Sequence, residues 1–194
     1  MLEVTWEWIA LDTAALDLAN TVAVDKGVAH DLLASVGDYQ RWAQAAARSP
    51  ELTTEEAAAI AAARPRLLAL REHIRVVLHA TAAGQPLPGA AVAALNTASR
   101  AAAQWPELGD DRQIEQHALG DAVQRLLARY ARSAMEIAAG GRAKLRVCGA
   151  PSCGMFYRPR RPQQRWCSVP CGNRARVARH YRAHHKPSSP PERR

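Results

Sequence analysis

The chain has 194 residues, 48% hydrophobic but only 5% aromatic, with a formal net charge of +8. That content excludes wholesale disorder, and the longest unbroken apolar run, the seven residues Ala57 to Ala63, falls far short of the roughly twenty a membrane-spanning helix needs. The charge is divided: residues 1–141 hold 12 Lys and Arg against 17 Asp and Glu, a net −5, whereas residues 142–194 hold 14 against Glu192 alone, a net +13.

Alanine supplies much of the apolar content, which favours helical packing over sheets. Residues 3–24 read as one or two short helical segments through Trp8, Ile9, Leu11, Leu16, Leu18 and Val22. The start, Met1 to Trp8, is acidic and lacks the basic stretch of a secretory signal, so a cytoplasmic, reducing location is expected. From Asp31 to Arg48, Leu32, Leu33, Val36, Tyr39, Trp42 and Ala43 recur at helical spacing, with an interruption at Gly37. Thr53-Thr-Glu-Glu56 is a capping box, in which Thr53 caps the helix and Glu56 reaches back. The helix it opens runs to about Ala83, with Leu67, Leu68, Ile74, Val77 and Leu78 on its buried side. Pro65 kinks or splits it, because proline removes a backbone donor and clashes with the preceding turn. A loop over Gly84 to Gly89 leads to a helix over Ala90 to Ala103. Gln104–Leu108 and Arg112–Gln116 then flank Gly109-Asp-Asp111 as a small β-hairpin. Gly120 to Ala139 is a strongly amphipathic helix, and Gly140-Gly141 ends it and forms a short hinge. Composition and charge change there, which divides the chain into a helical domain (1–141), a basic cysteine-bearing module (142–185) and a disordered Pro/Ser-rich tail (186–194).

All four cysteines, Cys148, Cys153, Cys167 and Cys171, lie in that module as Cys-x4-Cys, thirteen residues, then Cys-x3-Cys. In a reducing compartment, two close pairs joined by a loop are the pattern of a tetrahedral Zn²⁺ site rather than of disulfides. Four thiolates leave no coordination position for water, so one structural zinc ion is expected. A module this small holds too little core to fold alone, and metal binding would stabilise it by on the order of 10 kcal/mol. Ser168 caps a helix running from Val169 to about His185, and Phe156-Tyr157 and Arg165-Trp166 read as arms of a small hairpin. Knuckle, hairpin and cysteine-headed helix together suggest a treble-clef-like finger. The expected architecture is thus mainly α: a helical domain with a small β-hairpin, followed by the finger.

Arg174, Arg176, Arg179 and Arg182 spread around the finger helix, and Arg160, Arg161 and Arg165, with Arg158, charge the loop. Guanidinium forks suit phosphate oxygens and guanine edges, which makes these residues candidates for nucleic-acid contact. His180, His184 and His185 are either extra ligands or solvated, phosphate-facing residues. Trp166 either stacks on a base or packs over the metal knuckle.

At Cys171-Gly-Asn-Arg174 the module resembles the CGNR zinc-finger family, through Trp166-Cys-Ser-x-x-Cys-Gly-Asn-Arg-x-Arg. Leu16-Asp-Leu-Ala-Asn-Thr21 and the later Asp31-Leu-Leu, Tyr39 and Trp42-Ala43 resemble the helical ABATE domain that precedes this finger in bacterial proteins. The resemblance implies a stress-responsive transcription regulator, with a sensing domain and a DNA-binding finger. Asn20, in the most distinctive part of the first motif, either contacts a small ligand or satisfies a buried backbone group. Asn173 either braces the knuckle or reads DNA, and Arg174 either contacts phosphate or braces.

Catalysis is not expected. The sequence has no nucleophile elbow, no Gly-rich phosphate loop and no His-Glu metal motif. The leading reading is a nucleoid-associated DNA-binding regulator, whose body senses a small molecule or dimerises to place two fingers on paired half-sites. The alternatives are a zinc-finger protein–protein adaptor and an RNA-binding protein, for which Phe156-Tyr157 is the one candidate stacking platform.

Overall fold

The computed structural model describes residues 13–25, 27–48, 52–141 and 144–184. The expected helix through Trp8, Ile9 and Leu11, the residue His185 and the tail 186–194 lie outside the described residues.

Helix α1 (Ala14–Ala19) is short because every residue from Ala15 to Ala19 is buried between longer helices, and its N-terminus is tied down by the Ala15 amide donating to Ser133 Oγ at 3.1 Å. The chain then departs from the helical expectation. Strands β1 (Val22–Asp25) and β2 (Val28–Asp31) form an antiparallel hairpin with Val22 opposite Asp31 and Asp25 opposite Val28. The β-branched residues Val22 and Val24 suit extended backbone, and Gly27 takes the positive φ of the turn, +83°. Helix α2 (Val36–Ala46) begins later than Asp31. Ser35 is its N-cap, accepting from the Asp38 amide at 3.0 Å, so Gly37 lies in its first turn and does not interrupt it.

The capping box forms as expected. The Thr53 amide donates to Glu56 Oε2 at 2.9 Å and the Glu56 amide to Thr53 Oγ1 at 3.2 Å, opening α3 (Thr54–Ala59). Pro65 splits the long helical stretch: α3 ends, residues 60–63 turn, and α4 (Arg64–Ala83) restarts with Pro65 in its first turn, where a missing amide costs nothing. Gly84 closes α4 at φ +69°. Helix α5 (Gly89–Arg100), strands β3 (Gln104–Leu108) and β4 (Ile114–Ala118), and α6 (Ala122–Ala139) follow. The first arm of the hairpin is where the sequence places it, whereas the second starts at Ile114 rather than Arg112, which is in the turn at φ +65°; Trp105 lies opposite His117, and α6 carries a second capping box, Asp121 with Gln124.

Helices α1, α4, α5 and α6 enclose the main core, in which Leu16, Leu18, Trp42, Ile74, Leu95 and Leu126 are at most 2% exposed. Two buried ions are paired inside it. Arg71 donates to both Asp31 carboxylate oxygens, at 2.7 and 2.6 Å, and to Thr21 Oγ1 at 3.1 Å. Glu56 accepts from Arg129 at 2.9 Å. Among the described residues, no helix is long and apolar enough to cross a membrane.

The C-terminal module consists of β5 (Arg146–Val147), β6 (Phe156–Tyr157) and α7 (Val169–His184). Its hairpin differs from the expectation: β6 pairs with β5, Val147 opposite Phe156, and Arg165-Trp166 is not a strand. The module is not a free appendage on the Gly140-Gly141 hinge. Leu145 and Phe156, 0% and 2% exposed, belong to the helical body's core.

Candidate metal centre and basic cleft

The first knuckle turns at Ser152 and Gly154, both at positive φ, which folds the chain back so that the Cys148 amide donates to the Met155 carbonyl at 2.8 Å. The second knuckle is the start of α7, where Ser168 Oγ accepts from the Cys171 amide at 3.4 Å. Together they bring the four sulfurs within 4.8 Å of one another. Cys167 Sγ lies 3.7 Å from Cys153 Sγ and 3.4 Å from Cys171 Sγ, and Cys153 to Cys171 is 3.7 Å. Zinc–sulfur bonds of about 2.3 Å in a tetrahedron set sulfurs about 3.8 Å apart, so the donor set fits one zinc ion.

The surroundings suit thiolates. The Cys167 amide points at Cys148 Sγ at 3.4 Å, and Arg174 Nη2 donates to Cys171 Sγ at 3.1 Å. Without a cation the sulfurs cannot all ionise. The hydrogen bond from the Cys167 thiol draws Cys153 down to about 5, the same contact together with burial pushes Cys167 far up, and burial raises Cys148. A divalent ion resolves this conflict by displacing the remaining protons. Trp166 covers the site: a Cβ at Gly172 would lie 3.0 Å from its ring and one at Gly149 3.5 Å, so both glycines leave room for the indole. Of the two roles open to Trp166, the structure places it over the knuckle.

The residues of the distinctive N-terminal motif prove to grip this module. Asn20 Nδ2 donates to the Phe156 carbonyl at 3.0 Å, and the Phe156 amide donates to Asn20 Oδ1 at 2.8 Å, both buried. The Asn20 carboxamide is therefore committed to backbone, which is the bracing role rather than the ligand contact. Beside it the Val24 amide donates to the carbonyl of the ligand residue Cys153 at 3.3 Å, and Gly154 approaches so closely that a Cβ there would lie 2.7 Å from Val24 Cγ2. Arg75 and His79 of α4 flank the Phe156 ring.

Residues 144–184 hold ten Lys and Arg and no acid. Five of the seven candidate arginines, Arg160, Arg161, Arg165, Arg176 and Arg179, line one open cleft of about 1060 Å³ between the 158–168 loop and α7. Arg174 and Arg182 lie on the other flank of α7, around a shallower apolar groove with Pro151, Val177 and Tyr181. Asn173 Oδ1 accepts from Arg176 and does not brace the knuckle. Phe156 and Tyr157, 2% and 6% exposed, offer no stacking platform, because both rings are packed inward. His180 and His184 meet at a tilt, ring centres 4.3 Å apart, on exposed turns of α7, away from the sulfur cluster.

Sequence reasoning missed the residues that shape the cleft. Arg146 donates to the Gln164 and Pro162 carbonyls at 2.9 and 2.7 Å, and Tyr157 Oη to the Gln164 carbonyl at 2.9 Å. Gln164 Oε1 in turn accepts from the Arg160 amide at 2.8 Å. Nothing in the residue spacing marks Arg146 or Gln164 as braces.

The ABATE family model, described as "Putative stress-induced transcription regulator", matches residues 12–141, about two thirds of the chain. The chain belongs to the ABATE family. The CGNR zinc-finger model matches residues 144–184, directly after it, so the Asn20–Phe156 clasp joins the ABATE domain to the finger. No curated protein is similar enough to count as a relative.

Proposed function

We propose that this ABATE-family chain is a DNA-binding transcription regulator whose finger, folded around one structural zinc ion, is the contact element. The observation that carries the reading is the cleft: six arginines, Arg158 with the five named above, line one concave face of a module that contains no acid. Such a face suits phosphate, since each guanidinium offers a forked pair of donors and each phosphate neutralised releases a counterion. The helical body serves as the platform that sets the finger's orientation, and dimerisation of that body would space two fingers on paired half-sites. The protein acts at the nucleoid and carries out no catalytic step. With Asn20 committed to Phe156, a small effector would act on the clasp between body and finger rather than through that carboxamide. RNA loses its main support, because the aromatic pair is buried.

The test is Arg176→Gln with Arg179→Gln in the full, zinc-loaded chain. Duplex affinity falls, and the log–log salt slope flattens by about 1.8, about 0.9 for each phosphate no longer neutralised. Helical content and melting stay as in the parent. Unchanged affinity and slope would remove the cleft from the DNA-binding surface.

A further inference from the structure

The finger helix α7 is longer than its metal role requires. Cys171, Gly172 and Ala175 are buried against the finger, and no residue from Arg176 to His184 is. These nine residues, roughly 13 Å at 1.5 Å per residue, run along the surface of the module. A helix of this length gains little stability by itself in water, so its exposed turns depend on what they meet.

At 100° per residue, the face turned away from Cys171 and Ala175 carries Asn173, Val177 and His180, with Tyr181 and His184 beside them. No arginine lies on that ridge. Arg176 and the cleft flank it on one side, Arg174 on the other. Val177 and Tyr181 are 69% and 60% exposed and, with Val169 at the start of the helix, are its exposed large apolar residues. The pattern is thus a neutral ridge between two cationic flanks. Duplex DNA presents the complement: a major groove about 12 Å wide, which admits a helix, bounded by two phosphate backbones. A protein partner would need acids along two separated lines to match.

Resting on the DNA-binding reading above, we propose that Asn173, Val177 and His180 are the specificity-determining residues, reading base edges in the major groove while the arginines hold the phosphates. Once Arg176 turns from Asn173 Oδ1 to a phosphate, the carboxamide of Asn173 matches the donor–acceptor edge of adenine; the Val177 methyls match the thymine 5-methyl group, and the His180 imidazole donates to the acceptor edge of guanine. The arginines, which the sequence marks most loudly, position the helix and carry little sequence information.

The experiment selects preferred duplexes from a random pool with the zinc-loaded full chain, then compares affinity for the selected and a scrambled duplex. Asn173→Ala and His180→Ala lower the selected-to-scrambled ratio by about 5- to 100-fold each and leave the salt slope intact. Replacing thymine by uracil in the selected duplex, which removes only the 5-methyl groups, weakens the parent and has no further effect on Val177→Ala. One zinc per chain and unchanged helical content establish that each variant is folded. A ratio unmoved by all three substitutions overturns the assignment. A parent that binds every duplex equally overturns it too but leaves the DNA reading standing, whereas a parent that binds no duplex overturns the DNA reading itself.

Discussion

Replacing Asn20 should loosen the finger from the body. Its carboxamide makes two buried hydrogen bonds to Phe156, at 2.8 and 3.0 Å, across a sequence separation of 136 residues. Asn20→Ala removes both, about 1 kcal/mol each net, and strands the Phe156 amide and carbonyl away from water at about 1–3 kcal/mol for a group left unpaired. Partial access of water to the gap offsets some of this, leaving a loss of about 2–4 kcal/mol. At about 1.4 kcal/mol per tenfold, that shifts the docked-to-undocked equilibrium roughly 30- to 700-fold. Because β6 begins three residues after Cys153, and the Val24 amide also bonds the Cys153 carbonyl, undocking exposes the first zinc knuckle. Hydrogen exchange at the Phe156 amide should accelerate by that factor, and zinc transfer to a chelator should accelerate with it. Asn20→Asp keeps the acceptor for the Phe156 amide but sets an anionic oxygen against the Phe156 carbonyl, so it should be at least as damaging. Undiminished protection of Phe156 in both variants would refute the clasp.

Gly154→Ala should destabilise the finger by about 1–3 kcal/mol, since the residue sits at φ +67° and the new Cβ meets Val24; Val24→Ala should recover the steric part, seen as a partial rescue of the melting temperature. Burial alone would raise the Asp31 carboxyl, but hydrogen bonds from Arg71 and the Leu33 amide and the Arg71 and Arg64 charges outweigh it and hold it below 3.8. The unfolded chain therefore binds the extra proton, and this stability, present above 3.8, is lost as pH falls through the lowered value. Asp31→Asn should abolish that acid-dependent segment of a pH–denaturation series and cost about 2–4 kcal/mol at neutral pH, less than a wholly buried pair because Asp31 is about a third exposed. Burial and then Arg75 lower His79, so protonation favours the unfolded chain and stability should decline as pH drops below 6.5, a decline that a His79→Phe variant should lack. Chelation should unfold residues 144–184 while the α6 amides stay protected, and zinc affinity should weaken on acidification as thiolates take up protons.

The parts of the molecule that leave a local trace are legible in the sequence. The four cysteines, the Thr53–Glu56 box, the break at Pro65 and the amphipathic α6 each depend on residues a few positions apart, and each stands where its chemistry places it. The β1–β2 hairpin is hidden because Leu16 to Val22 continues an apolar pattern that suits a helix, and only Val22, Val24 and Gly27 hint at the turn. Strands of two residues have no period to read, so the choice between Val147 and Trp166 as partner of Phe156 rests on the knuckle's geometry, which spacing does not reveal. Asn20 stands out within its motif, but its partner lies in the other module, and no local rule links the two. Arg71 looks like any helix arginine until Asp31 and Thr21 fold over it.

Zinc-dependent DNA binding through the cleft is the claim on which the rest depends. It is decided by titrating zinc-loaded full-length protein with duplex DNA at several salt concentrations, beside a chelated control. Neutralisation of about five phosphates by the cleft arginines predicts a log–log slope of about −4 to −5 and binding lost on chelation. No binding at low salt, or equal binding with and without zinc, would contradict it.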